Sequence, residues 1–257
     1  MQRASGNGLF VTQNVGEWGL LGGQYFNNWS ENLHVIKPFK IPEGWMRFRS
    51  MDWGSYHPYS VHWYAVDYDG VLYCYRELYG YGGKANVGTK EPSTAVAQRI
   101  ADAERADKRL IQYGVLDNAC WGKQDPGAPS IAEEINRVLM SNGCRMFNPS
   151  TKGREQVGEE IRLRLQGWED AKGIRHPGIK IFNTCFHLIR TLPEITHDKN
   201  QPEKYDTNGE DHAVDDLGYA CMSRPWKPEK PKKRSVRDGW KDDYTNENQG
   251  RVSFMGV

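Results

Sequence analysis

The sequence predicts a mixed α/β domain, a β-sheet carrying helices on its faces. Three observations predict it. Three β-rich runs follow one another from Trp45, the last two joined at Asp69-Gly70; segments with a helical period come after them; and short apolar runs alternate with those segments as far as Cys221. At 257 residues the chain is long enough for one sizeable core with extensions.

Residues 1–44 are rich in Gly, Asn and aromatics (GEWGLLGGQYFNNWSEN) and hold no sustained period of 2 or 3.6, so they read as an irregular lead-in. A domain over 45–223 opens with WMRFRSMDWG, then YSVHWYAVDYDGVLYCYREL, whose Asp-Gly predicts a hairpin with a tight turn. Pro92 introduces STAVAQRIADAERAD, where Ser93 or Thr94 suits a helix cap and Val96, Ile100 and Ala103 recur at helical spacing. LIQYGVLD is a short strand. A second helix over 130–141 has Ile131, Ile135, Val138 and Leu139 on one face and Asn142-Gly143 at its end. Helices over 154–167, 186–192 and 210–221 follow, with a strand at 179–182 between the first two. The stretch 224–257 (PWKPEKPKKRSVRDGWKDDYTNENQG and beyond) offers Pro and Lys but little to bury, so it reads as a basic tail.

Composition excludes several classes. With 34 Lys and Arg against 33 Asp and Glu, the protein does not coat nucleic acid through bulk positive charge, and any DNA contact must use a local patch. Cys74, Cys120, Cys144, Cys185 and Cys221 are odd in number and never spaced C-x-x-C, which argues against a disulfide framework or a zinc site. No apolar run approaches the roughly 18–20 residues of a membrane span, so no membrane role is expected. YGYGGKAN lacks the spacing of a phosphate-binding loop, and no ATPase is predicted. His57, His62, His176, His187 and His197 are not spaced as ligand pairs, and the many aromatics suit sheet packing better than base stacking.

Three acidic positions remain. Alternation along WMRFRSMDW puts Met46, Phe48, Ser50 and Asp52 on one side, so Asp52 prolongs a largely apolar row. In LIQYGVLD, Asp117 does the same after Ile111, Tyr113 and Val115. A carboxylate there is costly to bury unless something positive meets it. Taken singly, each Asp reads equally well as a loop cap. Two such ends in one sheet favour a site, because open α/β sheets place ligands beyond the carboxyl ends of their strands. In GEDHAVDDLGYA, Asp211, His212 and Asp215 share one helical face. The helix dipole accounts for Asp211 at the start but less well for Asp215, a turn deeper beside Ala213, Val214 and Leu217. Gathering Asp52, Asp117 and Asp215 concentrates negative charge, a repulsive arrangement unless divalent cations are bound. Hard oxygen ligands point to Mg²⁺ or Mn²⁺. Two such ions, about 3.5–4 Å apart, activate a water and stabilise the leaving oxygen in phosphodiester hydrolysis.

These residues resemble a known family, the ribonuclease H-like nuclease domain of the large terminase subunit of tailed phages. FRSMDWGSYHPYSVHWYAV looks like its first strand and hairpin, YGVLDNACW its second acidic motif, and EDHAVDDLGYA its third. The likeness covers residues 45–222. It implies a mixed sheet with helices on both faces, metal ligands at Asp52, Asp117 and Asp215, and His212 as an accessory near the cut phosphate. Asp211 or Asp216 remains an alternative to Asp215 in so dense an acidic cluster.

The resemblance implies further that double-stranded DNA is the substrate, cut from concatemers in the host cytoplasm by a protein docked on the viral procapsid. A portal protein and a small terminase subunit are the implied partners. GGQYFNNWSENLHVIKPFKIPEGW looks like the connection from an ATPase domain that this chain lacks, as expected of an isolated domain or one product of a split or truncated gene. Lys84 and Lys90 in the Gly-rich loop, with Lys152 and Arg154 ahead of the third helix, are candidate phosphate contacts. Two other readings stand beside this one: a resolvase-type or repair nuclease of the same fold, and a docking module for a portal or capsid that does no chemistry.

Overall fold

A computed structural model describes residues 23–107, 111–123, 125–150 and 154–226. In chain order its elements are α1 (Glu31–His34), β1 (Val35–Ile36), β2 (Met46–Asp52), β3 (Ser60–Val66), β4 (Leu72–Tyr79), α2 (Ser93–Asp107), β5 (Gly114–Leu116), α3 (Ile131–Ser141) and β6 (Phe147–Pro149). Then come α4 (Arg154–Gln166), β7 (Trp168–Glu169), β8 (Arg175–His176), β9 (Ile179–Phe182), α5 (Phe186–Thr191) and α6 (His212–Ser223). Seven strands form one mixed sheet in the order β1-β9-β4-β3-β2-β5-β6, while β7 and β8 make a separate small hairpin.

The meander β2-β3-β4 is antiparallel, and β5, β6 and β9 join it in parallel. Its turn forms as the Asp-Gly pair predicts: the Asp67 carboxylate accepts from the Asp69 and Val71 N–H groups at 2.9 Å each, and Gly70 takes φ +78. Alternation along β2 sends Phe48 to one face, into a core with Tyr64, Val157, Val214 and Leu217, and Met51 to the other, with Trp63, Val96, Ile100 and Ile135. Helices α4, α5 and α6 thus cover one face, and α2 and α3 the other.

Helix α3 begins at a full capping box, the Ser130 hydroxyl accepting from Glu133 N–H and the Glu133 carboxylate from Ser130 N–H. Such a cap contributes about 1 kcal/mol. The helix ends at Asn142, followed by Gly143 at φ +71, the left-handed stop its sequence predicts.

Several boundaries move. The strand expected over 110–117 narrows to Gly114–Leu116, and the last helix starts at His212 rather than 210. Of the expected irregular lead-in, residues 31–36 form α1 and an edge strand on β9, and Tyr25 and Phe26 are buried in the core. The edge strand β6 and the β7-β8 hairpin had no readable period, being three and two residues long. The described fold reaches Trp226, which is buried against Gly70 and Gly178, three residues past the domain end read at 223. The lead-in before 23, Lys152 and the tail from 227 onward lie outside the described residues. No helix among the described residues is long and apolar enough to cross a membrane.

Candidate metal centre

Asp52 closes β2 and Asp117 follows β5, its parallel neighbour. Met51 pairs with Leu116, and Asp117 N–H donates to the Met51 carbonyl at 3.1 Å, so the two carboxylates leave the sheet side by side at the carboxyl ends of their strands. Helix α6 packs on the same face and brings Asp215. A cavity of about 720 Å³ is lined by Asp52, Asp117, Asp211, His212, Asp215 and Tyr219, with aromatic and loop residues around its rim.

Each carboxylate already has a local donor. His212 Nδ1 lies 3.0 Å from Asp52 Oδ2, and Tyr219 OH donates to Asp52 Oδ1 at 3.4 Å. Tyr205 OH donates to Asp215 Oδ1 at 2.5 Å. Asp117 accepts from Ala119 N–H at 3.1 Å and so caps the 3-10 turn Asn118–Trp121 while lining the cavity; the loop-cap and site readings are both true of it.

Asp52 is 7% exposed and Asp215 6%. Burial, then the charges of Asp215 and Asp117, hold the Asp52 carboxyl well above the usual carboxylate range. Burial and the Asp215 charge push Asp211 up to about 7. Among the described residues no three His, Cys, Asp or Glu side chains are gathered tightly enough to hold a metal ion as they stand. The donor set nevertheless fits a hard cation: three mutually repelling carboxylates from separate elements, and no thiol among the cavity's lining residues.

No family model and no curated protein sequence matches the chain. Solved structures do. The nuclease domain of the phage P22 large terminase matches with a TM-score of 0.56 and 19% identity, over 79% of this chain and 93% of that domain. The chain has the terminase-nuclease fold. The large terminase of a thermophilic bacteriophage matches in its ADP complex with a TM-score of 0.60 and 15% identity, and in another structure of the same protein with 0.58 and 14%. Each covers 80% of this chain, which spans only 46% of that terminase. At these identities the likeness is one of fold.

Within the terminase-nuclease fold, Asp52, Asp117, Asp211, His212 and Asp215 line one cavity. Asp216 does not join them. It is 0% exposed and points into the sheet, where its carboxylate accepts from the Ser50 and Ser60 hydroxyls and meets His62 Nδ1 at 2.5 Å. Lys84 and Lys90 sit on the expected Gly-rich loop without lining the cavity. The Lys90 ammonium lies 5.6 Å from the centre of the exposed Tyr56 ring. The Arg154 backbone begins α4.

The sequence reading missed Tyr205, Tyr219, His57 and Asn86, all of which line the cavity. Tyr219 was findable, being four residues after Asp215 and hence on the same helical face. The others reach the site through loops, for which no periodicity exists.

Proposed function

We propose that this chain is a divalent-metal-dependent endonuclease that cuts double-stranded DNA concatemers into packaged genome lengths. The observation that carries the reading is the convergence of Asp52, Asp117 and Asp215, from two adjacent strand ends and a helix, on one open cavity in a fold shared with terminase nuclease domains. In this reading Asp52, Asp117 and Asp215 hold a pair of Mg²⁺ or Mn²⁺ ions, with Asp211 beside them. Bound there, the ions would supply an activated water and stabilise the leaving oxygen.

The chain's own side chains prepare the ligands. Tyr219 and His212 orient the two oxygens of Asp52, and Tyr205 orients Asp215. Lys84 and Lys90 suit DNA phosphates, as do Lys152 and Arg154 by their place in the sequence. A portal protein, a small terminase subunit and an ATPase domain are the partners of this reading, and the host cytoplasm at the procapsid is its location.

Incubating the purified protein with linear plasmid and Mn²⁺ or Mg²⁺ tests it. Fragmentation abolished by chelator is the expected result. Intact DNA under every cation condition overturns the reading, and a marked preference for branched over linear DNA would reassign the substrate.

A further inference from the structure

The segment between β4 and α2 is fastened to the Ser55–His57 loop beside the cavity. Gly88 N–H donates to the Tyr56 carbonyl at 2.7 Å, and Lys90 N–H to the Ser55 carbonyl at 3.0 Å. A Cβ on Gly88 would collide with the Ser55 and His57 carbonyl oxygens, so only glycine lets the two loops approach this closely. Among the described residues, the non-glycine positions with left-handed backbone are Asn86 at φ 58 and Lys90 at φ 60, both in this segment. Such a conformation costs an L-residue about 1–2 kcal/mol, least for Asn, and persists where surrounding contacts enforce it.

The strained backbone delivers one side chain to the cavity wall, between two histidines. Asn86 Oδ1 lies 3.0 Å from His212 Nε2 and 3.1 Å from His57 Nδ1. An amide oxygen only accepts, so at both contacts the ring nitrogen is the donor. His57 Nδ1 also lies 3.2 Å from the Asn86 carbonyl and clamps the residue from outside. On its other edge, His212 turns Nδ1 toward Asp52 Oδ2 at 3.0 Å. Asn86, His212 and Asp52 therefore form one chain from the loop to the end of β2.

We infer that Asn86 is a positioning residue: its amide oxygen fixes the ring of His212 and so aims Nδ1 at Asp52. The inference rests on the proposed metal centre for its consequence, but not for the contact itself. It gives the Gly-rich loop a role other than phosphate binding.

Two substitutions isolate the side chain from the backbone. Asn86→Gly removes the amide and adopts φ 58 without strain; Asn86→Asp keeps an acceptor oxygen and also tolerates that region. The first measurement uses the metal-free protein and reads ¹⁵N shifts of the histidine rings. Asn86→Gly should move the His212 and His57 signals and leave those of His34 and His176 in place, and Asn86→Asp should keep a hydrogen-bonded His212 Nε2–H signal that Asn86→Gly loses. The second reads cleavage of linear plasmid in Mn²⁺. Because residues that orient a metal ligand typically carry roughly 10–100-fold in affinity or activity, Asn86→Gly should lose about tenfold in kcat with KM for DNA unchanged, and Asn86→Asp should recover most of it. An unmoved His212 signal in Asn86→Gly overturns the inference. So does a raised KM at constant kcat, which would make Asn86 a DNA contact. If the wild-type protein cuts nothing, the nuclease reading fails while the ring shifts still decide whether Asn86 positions His212.

Discussion

At the scale of single residues, the three carboxylates carry the sharpest expectations. Asp52→Asn, Asp117→Asn and Asp215→Asn should each abolish metal-dependent cleavage, since an amide supplies no charge to a divalent ion. For Asp52→Asn, metal-free melting should be unchanged or slightly raised. A carboxyl held above its unfolded value costs the fold stability once pH passes that unfolded value, and the amide removes the cost. Wild-type cleavage rates in any of the three variants would remove that residue from the site. Asp211, at about 7, gives a pH dependence with a definite sign. Below that pH it is protonated and an entering cation must expel the proton, so the Mn²⁺ concentration for half-saturation should rise as pH falls from about 8 to about 6. A pH profile unchanged in Asp211→Asn would show that Asp211 stays clear of the ions. Which of Asp215 and Asp216 faces the cavity was not legible in the sequence, because successive helical residues point about 100° apart and the choice belongs to the surface below them. Ser50, Ser60 and His62 make that choice, and they lie more than 150 residues away along the chain.

At the scale of elements, one buried polar line ties helices to strands. His62 on β3 meets Asp216 of α6 through Nδ1 and Glu77 of β4 through Nε2 at 3.0 Å. Glu77 in turn accepts from the His187 and Leu188 N–H groups at 2.8 Å each, at the start of α5. Burial alone would lower the pKa of His62, but the charge of Asp216 and hydrogen bonds to Asp216 and Glu77 prevail and raise it to about 10. A raised imidazolium contributes stability fully below its unfolded value near 6.5, and that contribution disappears as pH climbs through about 10. His62→Gln should therefore cost about 3–5 kcal/mol near neutral pH, the usual loss when a buried ion pair is broken from one side. Its deficit in Tm should shrink between about pH 6.5 and pH 10. A deficit constant across that range would mean that packing, not charge, is what His62 provides. Helix ends were the legible part of this layer, since Ser130, Glu133, Asn142 and Gly143 announce α3 by local chemistry. His62, by contrast, reads as an ordinary histidine in a β-rich run, and its partners come from elements that only the fold brings near.

At the scale of the whole molecule, the sheet order was not legible, because β9 pairs with β4 across more than a hundred residues and β1 adds to β9 from the other end of the chain. The strand and helix succession was, because period and caps are local. The position of Trp226 sets the limit for truncation. Its ring packs on Gly178 and Gly70, and Arg164, whose guanidinium donates to the Gly70 and Gly178 carbonyls, lies 5.8 Å from that ring. Removing residues 227–257 should thus leave Tm and chelator-sensitive cleavage intact, while removing 225–257 should lower Tm. The basic run at Lys227, Lys230, Lys232, Lys233, Arg234 and Arg237 suits transient contact with phosphates. The shorter chain should accordingly bind DNA more weakly at low salt, with the difference fading at high salt. Equal binding at both salt concentrations would leave the tail without a DNA role.

The three carboxylates come from positions 52, 117 and 215, on two adjacent strand ends and a late helix. During synthesis the third is the last to leave the ribosome, and it faces the other two only after α6 has docked on a completed sheet. On the proposed function, a half-made or misfolded copy is therefore a harmless one: the power to damage a genome appears only with the finished fold, and local unfolding of a single helix disarms it.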